Sequence, residues 1–268
     1  MVNAIVTGAG GRMGGRIITL ISAAKDIKLV GAVEKKGHAL AGKDVGEALG
    51  LGKLGVKIVD DLAACIDKGD VVIDFTSHAV SLEHLELAAK KKRAIVIGST
   101  GFTAEEMKKA AVLAKKTRCV LAPNMSVGVN VMFKVLGDVA RILGDDYDVE
   151  IVEAHHHLKK DAPSGTAMKM AQIIAEALNR DLDREAVYTR KGMIGERTRK
   201  EIGIQTLRAG DIVGEHNVMF GAVGERLEFI HRAHSRDNFA KGAIRAARWI
   251  VKQRNGLYDM QNVLGLKA

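Results

Sequence analysis

Val2-Asn3-Ala4-Ile5-Val6-Thr7-Gly8-Ala9-Gly10-Gly11-Arg12-Met13-Gly14-Gly15-Arg16-Ile17-Ile18-Thr19-Leu20 decides the fold. A short β-branched run passes through a glycine-rich turn directly into residues of helical period, which predicts a strand, a tight loop and a helix in succession. Glycines permit the turn and bring backbone N–H groups close to a pyrophosphate, and the positive pole of the new helix favours that anion. The spacing is G-x-x-G-x-x-G at 8, 11 and 14; the commoner G-x-G-x-x-G from Gly8 would ask for glycine at 13, where Met13 stands. Glycine-rich turns also close strands that bind nothing, so the loop alone leaves the two readings open.

Glu34 follows the next predicted strand, where an acidic side chain takes both ribose hydroxyls of an adenosine. Lys35 and Lys36 come directly after it and, with Arg12, offer charge for a 2′-phosphate, so NADH and NADPH both suit the loop. A solvated charged turn is the plain alternative.

Outward from this stretch, β-branched runs alternate with helical stretches, the order of a parallel sheet with crossover helices. Strands are expected at 4–7, 28–33, 56–59, 71–75, 94–97 and 119–122, and helices at 12–23, 62–68, 80–91 and 104–115. In the third helix Leu82, Leu85, Leu87, Ala88 and Ala89 form one face, and Glu83, Glu86, Lys90 and Lys91 the other. The run Lys90-Lys91-Lys92-Arg93 offsets the negative pole at that helix end. Loops after the strands, including Gly98-Ser99-Thr100-Gly101 and Ala122-Pro123-Asn124-Met125, would line the carboxyl edge of the sheet, where ligands bind.

After Pro123 the pattern changes to a helix at 127–143, a strand at 148–156, a helix at 164–178 and strands at 202–208, 212–220 and 226–232. Strands without long helices between them predict an α+β unit with a mixed or antiparallel sheet. A last helix, 238–254, returns to the first unit. The expected division is 1–126 completed by 236–268, with 127–235 as the second domain.

Composition narrows the partners. Apolar residues at 47% and charged residues at 27% describe an ordinary globular chain. The surplus of +9 suits phosphates and carboxylates as well as nucleic acid. With six Phe, three Tyr and one Trp, and no interleaving of basic and aromatic residues, nucleic acid is not expected as a partner. No apolar run reaches the ~18 residues of a membrane span, and no signal-like leader is visible, so a cytoplasmic protein is expected. Cys65 and Cys119 lack zinc or disulfide spacing.

The densest polar cluster is Glu153-Ala154-His155-His156-His157-Leu158-Lys159-Lys160-Asp161-Ala162-Pro163-Ser164-Gly165-Thr166, from a strand end through a loop to a helix start. Neighbouring strand residues point to opposite faces, and metal-binding histidines usually repeat at i and i+4 on a helix, so no metal is expected. Acid–base chemistry on an anionic substrate fits better: histidine exchanges protons near neutral pH, and Lys159 follows His155 by one turn. Ser164-Gly165-Thr166 opens a helix whose free N–H groups suit a carboxylate, with Gly165 allowing close approach; simple capping is the alternative.

At these residues the chain resembles the 4-hydroxy-tetrahydrodipicolinate reductases, also called dihydrodipicolinate reductases, of bacterial diaminopimelate and lysine synthesis. The resemblance spans nearly the whole chain: Val6 through Gly14, Asp74-Phe75-Thr76, Val96 through Phe102, Asn124 through Asn130, Glu153 through Thr166, and Arg208 through His216. It implies a Rossmann-type doubly wound parallel sheet, a substrate domain whose sheet mediates a homotetramer, and NAD(P)H-dependent reduction of a cyclic dicarboxylate imine. By position it implies His155 as proton donor or acceptor, Lys159 as proton donor, and His156, Gly165 and Thr166 as carboxylate contacts. It assigns Gly8, Ala9, Gly10, Gly11, Arg12, Met13, Glu34, Lys35, Gly98, Ser99, Thr100, Ala122, Pro123, Asn124 and Met125 to the cofactor. Many relatives have arginine where this chain has Lys35, which leaves the choice of nucleotide open.

Two other readings compete. A semialdehyde dehydrogenase would need a cysteine nucleophile, and Cys119 falls in a predicted strand. A redox-sensing DNA-binding protein would need a helix-turn-helix segment, which the sequence does not display.

Overall fold

The structure is a computed structural model that describes residues 1–267. Its strands are β1 (Val2–Thr7), β2 (Ile27–Val33), β3 (Ile58–Val59), β4 (Val71–Asp74), β5 (Ala94–Ile97), β6 (Arg118–Leu121), β7 (Asp148–His155), β8 (Ala186–Val187), β9 (Ile202–Arg208), β10 (Gly214–Ala222), β11 (Glu225–Ala233) and β12 (Gly256–Tyr258). Its helices are α1 (Arg12–Ser22), α2 (Val45–Ala48), α3 (His78–Lys91), α4 (Ala104–Ala114), α5 (Val127–Leu143), α6 (Gly165–Ala177), α7 (Leu182–Glu185), α8 (Asp237–Ile250) and α9 (Met260–Val263). Packing divides the chain into two compact units: Met1–Val127 with the chain from Arg236 onward, and Gly128–Ser235.

The first unit is a seven-stranded parallel sheet in the order β12-β6-β5-β4-β1-β2-β3. The chain starts in the middle, winds to one edge and then to the other, which opens a crevice at the carboxyl ends of β1 and β4 where the winding reverses. Both faces are covered, so successive residues of one strand enter different cores. Ala4 and Val6 pack with Ile17, Ile18 and the α8 residues Ala243 and Ala247, while Ile5 packs on the other face with Leu85, Ile95 and Ala110. Burial on both faces explains why these strands read as continuous apolar runs.

The second unit holds a five-stranded sheet in the order β11-β10-β7-β9-β8, in which β7, β8 and β9 run parallel and β10 and β11 antiparallel. Val149, Ile151, Ile204 and Val218 on one face of that sheet meet Leu136 of α5 and Ile174 of α6. The parallel sheet and the mixed sheet are the two architectures that the pattern of runs predicts.

Several predicted boundaries need correction. The helix expected at 62–68 is two 3-10 turns, Leu62–Ala64 and Ile66–Lys68, interrupted where Cys65 adopts φ −133°. The strand expected at 56–59 shortens to β3, because the Val56 carbonyl accepts the Val45 N–H and Lys57 bridges Asp44 instead. The strand expected from 212 begins at Gly214, since the Ile212 carbonyl accepts the His156 N–H at 2.7 Å. The last long helix stops at Ile250, and the chain turns into β12, which pairs with β6. β12 and α9 escaped the sequence reading because three or four residues are too few to show a period.

Candidate active site

The first unit builds its site mainly from backbone. Gly8 adopts φ +64°, and its carbonyl accepts the Gly11 N–H at 2.9 Å. Gly11 is the N-cap of α1, and among the described residues no side chain caps that helix, so its leading N–H groups are left for an anion. Gly14 brings α1 against the loop so closely that a Cβ would stand 2.0 Å from the Gly8 oxygen. The three glycines of the 8-11-14 spacing therefore serve different ends, supplying a left-handed turn, an open cap and a close helix approach in that order.

Glu34 leaves the end of β2 and accepts the Gly10 N–H at 2.8 Å and the Lys35 N–H at 3.1 Å. It lines a cavity of about 560 Å³ with Gly8, Lys35, Thr76, His84 and Leu87. Asp74, fully buried at the end of β4, bonds two of the lining residues, Thr76 and His84. Asp74 accepts His84 Nδ1 at 2.5 Å, the Thr76 N–H at 2.9 Å and Ser81 Oγ at 2.9 Å. Burial works to raise the Asp74 carboxyl, but these donors outweigh it and keep it below the usual carboxylate range.

The remaining cofactor candidates follow β5 and β6. A Cβ on Gly98 would lie 2.2 Å from the Phe75 ring, and Ser99 Oγ sits 2.7 Å from Ser81 Oγ, with Thr100 next in the same loop. After β6, Ala122 is buried, Pro123 follows, Asn124 Oδ1 accepts the Ser126 N–H at 2.9 Å, and Met125 is buried beside Gly242 of α8. Together with Ala9, Arg12 and Met13, all of these candidates belong to one unit and stand at the carboxyl side of its sheet.

The second unit builds its site from side chains. Along β7, Val149 and Ile151 enter the apolar core; the next residues of the same face are Glu153 and His155. Register places His231 of β11, His216 of β10, Glu153 and Thr206 of β9 in one transverse row, so the covered face turns polar at this end. Glu153 is fully buried. It accepts His155 Nδ1 at 2.6 Å, both terminal nitrogens of Arg208 at 2.9 Å, and the Ser164 N–H at 2.9 Å. Burial raises its carboxyl, yet the bonds from His155, Arg208 and Ser164 prevail and hold it at about 2.

Around this hub the other candidates assemble. His156 and Lys159 close a turn, with the Lys159 N–H on the His156 carbonyl, and Lys159 Nζ pairs with Asp161 at 2.9 Å. His157 Nδ1 turns away to the Gly210 carbonyl at 2.9 Å. Ser164 caps α6 by accepting the Ala167 N–H; a Cβ on Gly165 would meet nothing within 4 Å among the described residues, which leaves space over the first turn, where Thr166 follows. His216 Nε2 lies 3.1 Å from Ser164 Oγ, and its ring meets the His155 ring edge-on at 5.3 Å. Burial, aided by the charges of His155 and Lys159, lowers His216 to about 3, so it is a neutral ring at working pH.

Glu153, quoted in the sequence cluster without a role, is its centre, and Arg208, Gly214 and His216 come from other strands. The i, i+2 relation of Glu153 and His155 on a strand was the signal available for the first of these; the others depend on register. Cys119 is fully buried in β6, and burial pushes its thiol far above the ordinary range, which removes the nucleophile a semialdehyde dehydrogenase needs.

Family models match both units, the dihydrodipicolinate reductase N-terminus over residues 2–125 and the C-terminus over residues 128–264. The chain belongs to the dihydrodipicolinate reductase family. A 4-hydroxy-tetrahydrodipicolinate reductase of Syntrophus aciditrophicus is 67% identical over 268 residues, and one of Geotalea uraniireducens 60% over 267, with 100% of each chain covered. Among solved structures, the dipicolinate-bound dihydrodipicolinate reductase from Paenisporosarcina sp. TG-14 superposes with a TM-score of 0.76 at 28% identity, covering 98% of this chain and 99% of that one. Aspartate semialdehyde dehydrogenase II from Vibrio cholerae, at a TM-score of 0.56 and 11% identity over 94% of this chain and 99% of that one, shares the fold. The family's enzymes are NAD(P)H-dependent oxidoreductases, and the residues present fit a dinucleotide: glycines where a Cβ would collide, an uncapped helix start and Glu34 beside a nucleoside-sized cavity.

Proposed function

We propose that this reductase converts 4-hydroxy-tetrahydrodipicolinate to tetrahydrodipicolinate, with loss of water, as a step of diaminopimelate and lysine synthesis. The observation that carries the reading is the buried Glu153, which holds His155 Nδ1 at 2.6 Å and the Ser164 N–H at the start of α6 at 2.9 Å, in a chain whose relatives bear this name. Gly8 to Met13, Glu34, Lys35, Gly98 to Thr100 and Ala122 to Met125 would hold the nucleotide, whose chemistry when bound would be hydride supply for ring carbon 4.

The protein supplies charge, place and protons. His156, Gly165 and Thr166 receive a carboxylate, which accepts from N–H donors in the first turn of α6. His155 uses Nε2 toward the substrate, because Nδ1 is held by Glu153. Lys159, held beside Asp161, is the second proton carrier. Between them they complete the enamine that reduction leaves, by general acid help worth roughly 10² to 10⁴ in rate. On this reading the first unit is the cofactor domain and the second the substrate domain.

The chain works as a homotetramer in the cytoplasm. The sheet face of the second unit turned away from α5 and α6 supports the assembly: it carries half-exposed Leu207 and Ile230, while Gln205 Nε2 and Asn217 Oδ1 are buried without a partner among the described residues. Light scattering coupled to gel filtration reads this directly, with a fourfold mass expected.

The activity is tested by following reduced-nicotinamide absorbance with freshly made synthase product, using NADH and NADPH in parallel. Loss of absorbance with either supports the assignment; none with both overturns it.

A further inference from the structure

We propose that Glu153 is the positioning residue of the proton-transfer site: its carboxylate, clamped by Arg208, fixes the tautomer and orientation of His155. The proposal rests on the reading of His155 as the group that exchanges protons with substrate.

The geometry carries it. Glu153 and His155 project from the same face of β7, and His155 Nδ1 reaches Glu153 Oε2 at 2.6 Å. The carboxylate cannot turn away, because Oε1 already accepts the Ser164 N–H and Arg208 Nη2, each at 2.9 Å, and Oε2 accepts Arg208 Nη1 at 2.9 Å. An ionised carboxylate only accepts, so the imidazole must donate through Nδ1, and Nε2 becomes the nitrogen that gains and loses the working proton. Gly214 gives that nitrogen room: a Cβ there would stand 3.1 Å from His155 Nε2. The His216 ring edge at 5.3 Å closes the side.

Arg208 has a second effect. Its bidentate guanidinium offsets much of the negative field that the buried Glu153 carboxylate places at the imidazole. The charged and titratable groups bearing on His155 are Glu153 on its own strand, Arg208 on β9, His216 on β10, His231 on β11, and Lys159 and Asp161 in the following loop. Glu153 carries the carboxylate that His155 shares and Arg208 clamps it, so replacements of these two should move the site in opposite directions.

The test joins a spectroscopic readout to a rate readout. Nitrogen NMR of ring-labelled enzyme should find neutral His155 as the Nδ1–H tautomer, and Glu153→Gln should broaden or reverse that preference. Glu153→Gln should lower kcat by about 10- to 100-fold while leaving the NADH Kd within about twofold, and should move the alkaline limb of the pH–rate profile to lower pH. Arg208→Lys, which keeps the charge but loses the fork, should move that limb to higher pH and lose less rate. An Nε2–H tautomer in the unaltered enzyme, or limbs that stay fixed in both variants, overturns the proposal. Full turnover by His155→Ala would instead sink the catalytic reading of His155, while the tautomer would still report whether Glu153 holds the ring.

Discussion

On the proposed reading the two units solve the same problem, an anion seated beside a reacting group, with different materials. The first uses main chain: glycines at 8, 11 and 14 shape a loop whose N–H groups end an uncapped helix. The second uses side chains drawn from β7, β9 and β10, converging on one buried carboxylate. A backbone site tolerates changes of side chain but no added Cβ; a side-chain site tolerates small backbone changes but loses its chemistry when one partner goes.

The largest test of this contrast is His155→Ala or Lys159→Ala. Either should cut kcat by roughly 10² to 10⁴ and leave the NADH Kd, measured by fluorescence titration, nearly unchanged. Parallel loss of both would erase the division of labour. The mirror experiment is Gly14→Ala: the added methyl meets the Gly8 oxygen and should cost about 1–3 kcal/mol, seen as a roughly 10- to 100-fold weaker NADH Kd with a lowered Tm.

Acid should divide the two sites as well. His216 is held at about 3, below its ordinary 6.5, so its neutral form suits the fold. Its stabilising contribution is full above pH 6.5 and declines as pH falls toward 3, about 2 kcal/mol of it between pH 7 and pH 5. Glu153, depressed from 4.5 to about 2, adds a second loss only below pH 4.5. Urea unfolding followed by circular dichroism at pH 7 and pH 5 should show the first loss, and His216→Gln should flatten it.

The smallest effect belongs to Lys35. It is exposed beside Glu34, and Lys35→Arg should raise the NADPH to NADH ratio of kcat/KM by a few fold up to about tenfold, through a bidentate grip on a 2′-phosphate. An unchanged ratio would place nucleotide choice elsewhere on the loop.

The contrast also explains what was legible in the sequence. Glycine spacing, the acid after β2 and the alternation of strands and helices are local patterns, so the parallel sheet and its loop could be read residue by residue. The mixed sheet was readable in kind from its runs of β-branched residues. The polar row was not, because Arg208 and His216 meet Glu153 only through a register that no local period encodes. The Asp74 and His84 pair escaped for the same reason: a strand end and the second turn of a helix lie ten positions apart and look like an ordinary acid and an ordinary surface histidine.

The return of the chain to its first sheet has a consequence for synthesis on the ribosome. α8 lies over β4, β5 and β6, and β12 completes the edge beside β6. When residue 127 emerges, the face that will hold Ala243, Ala247 and Ile250 is therefore bare, and it stays bare until more than a hundred further residues have been made. The intervening second unit, contiguous in sequence, can fold first. A nascent chain stalled before Arg236 should accordingly bind hydrophobic dyes and trigger-type chaperones, and lose both on release of the last helix.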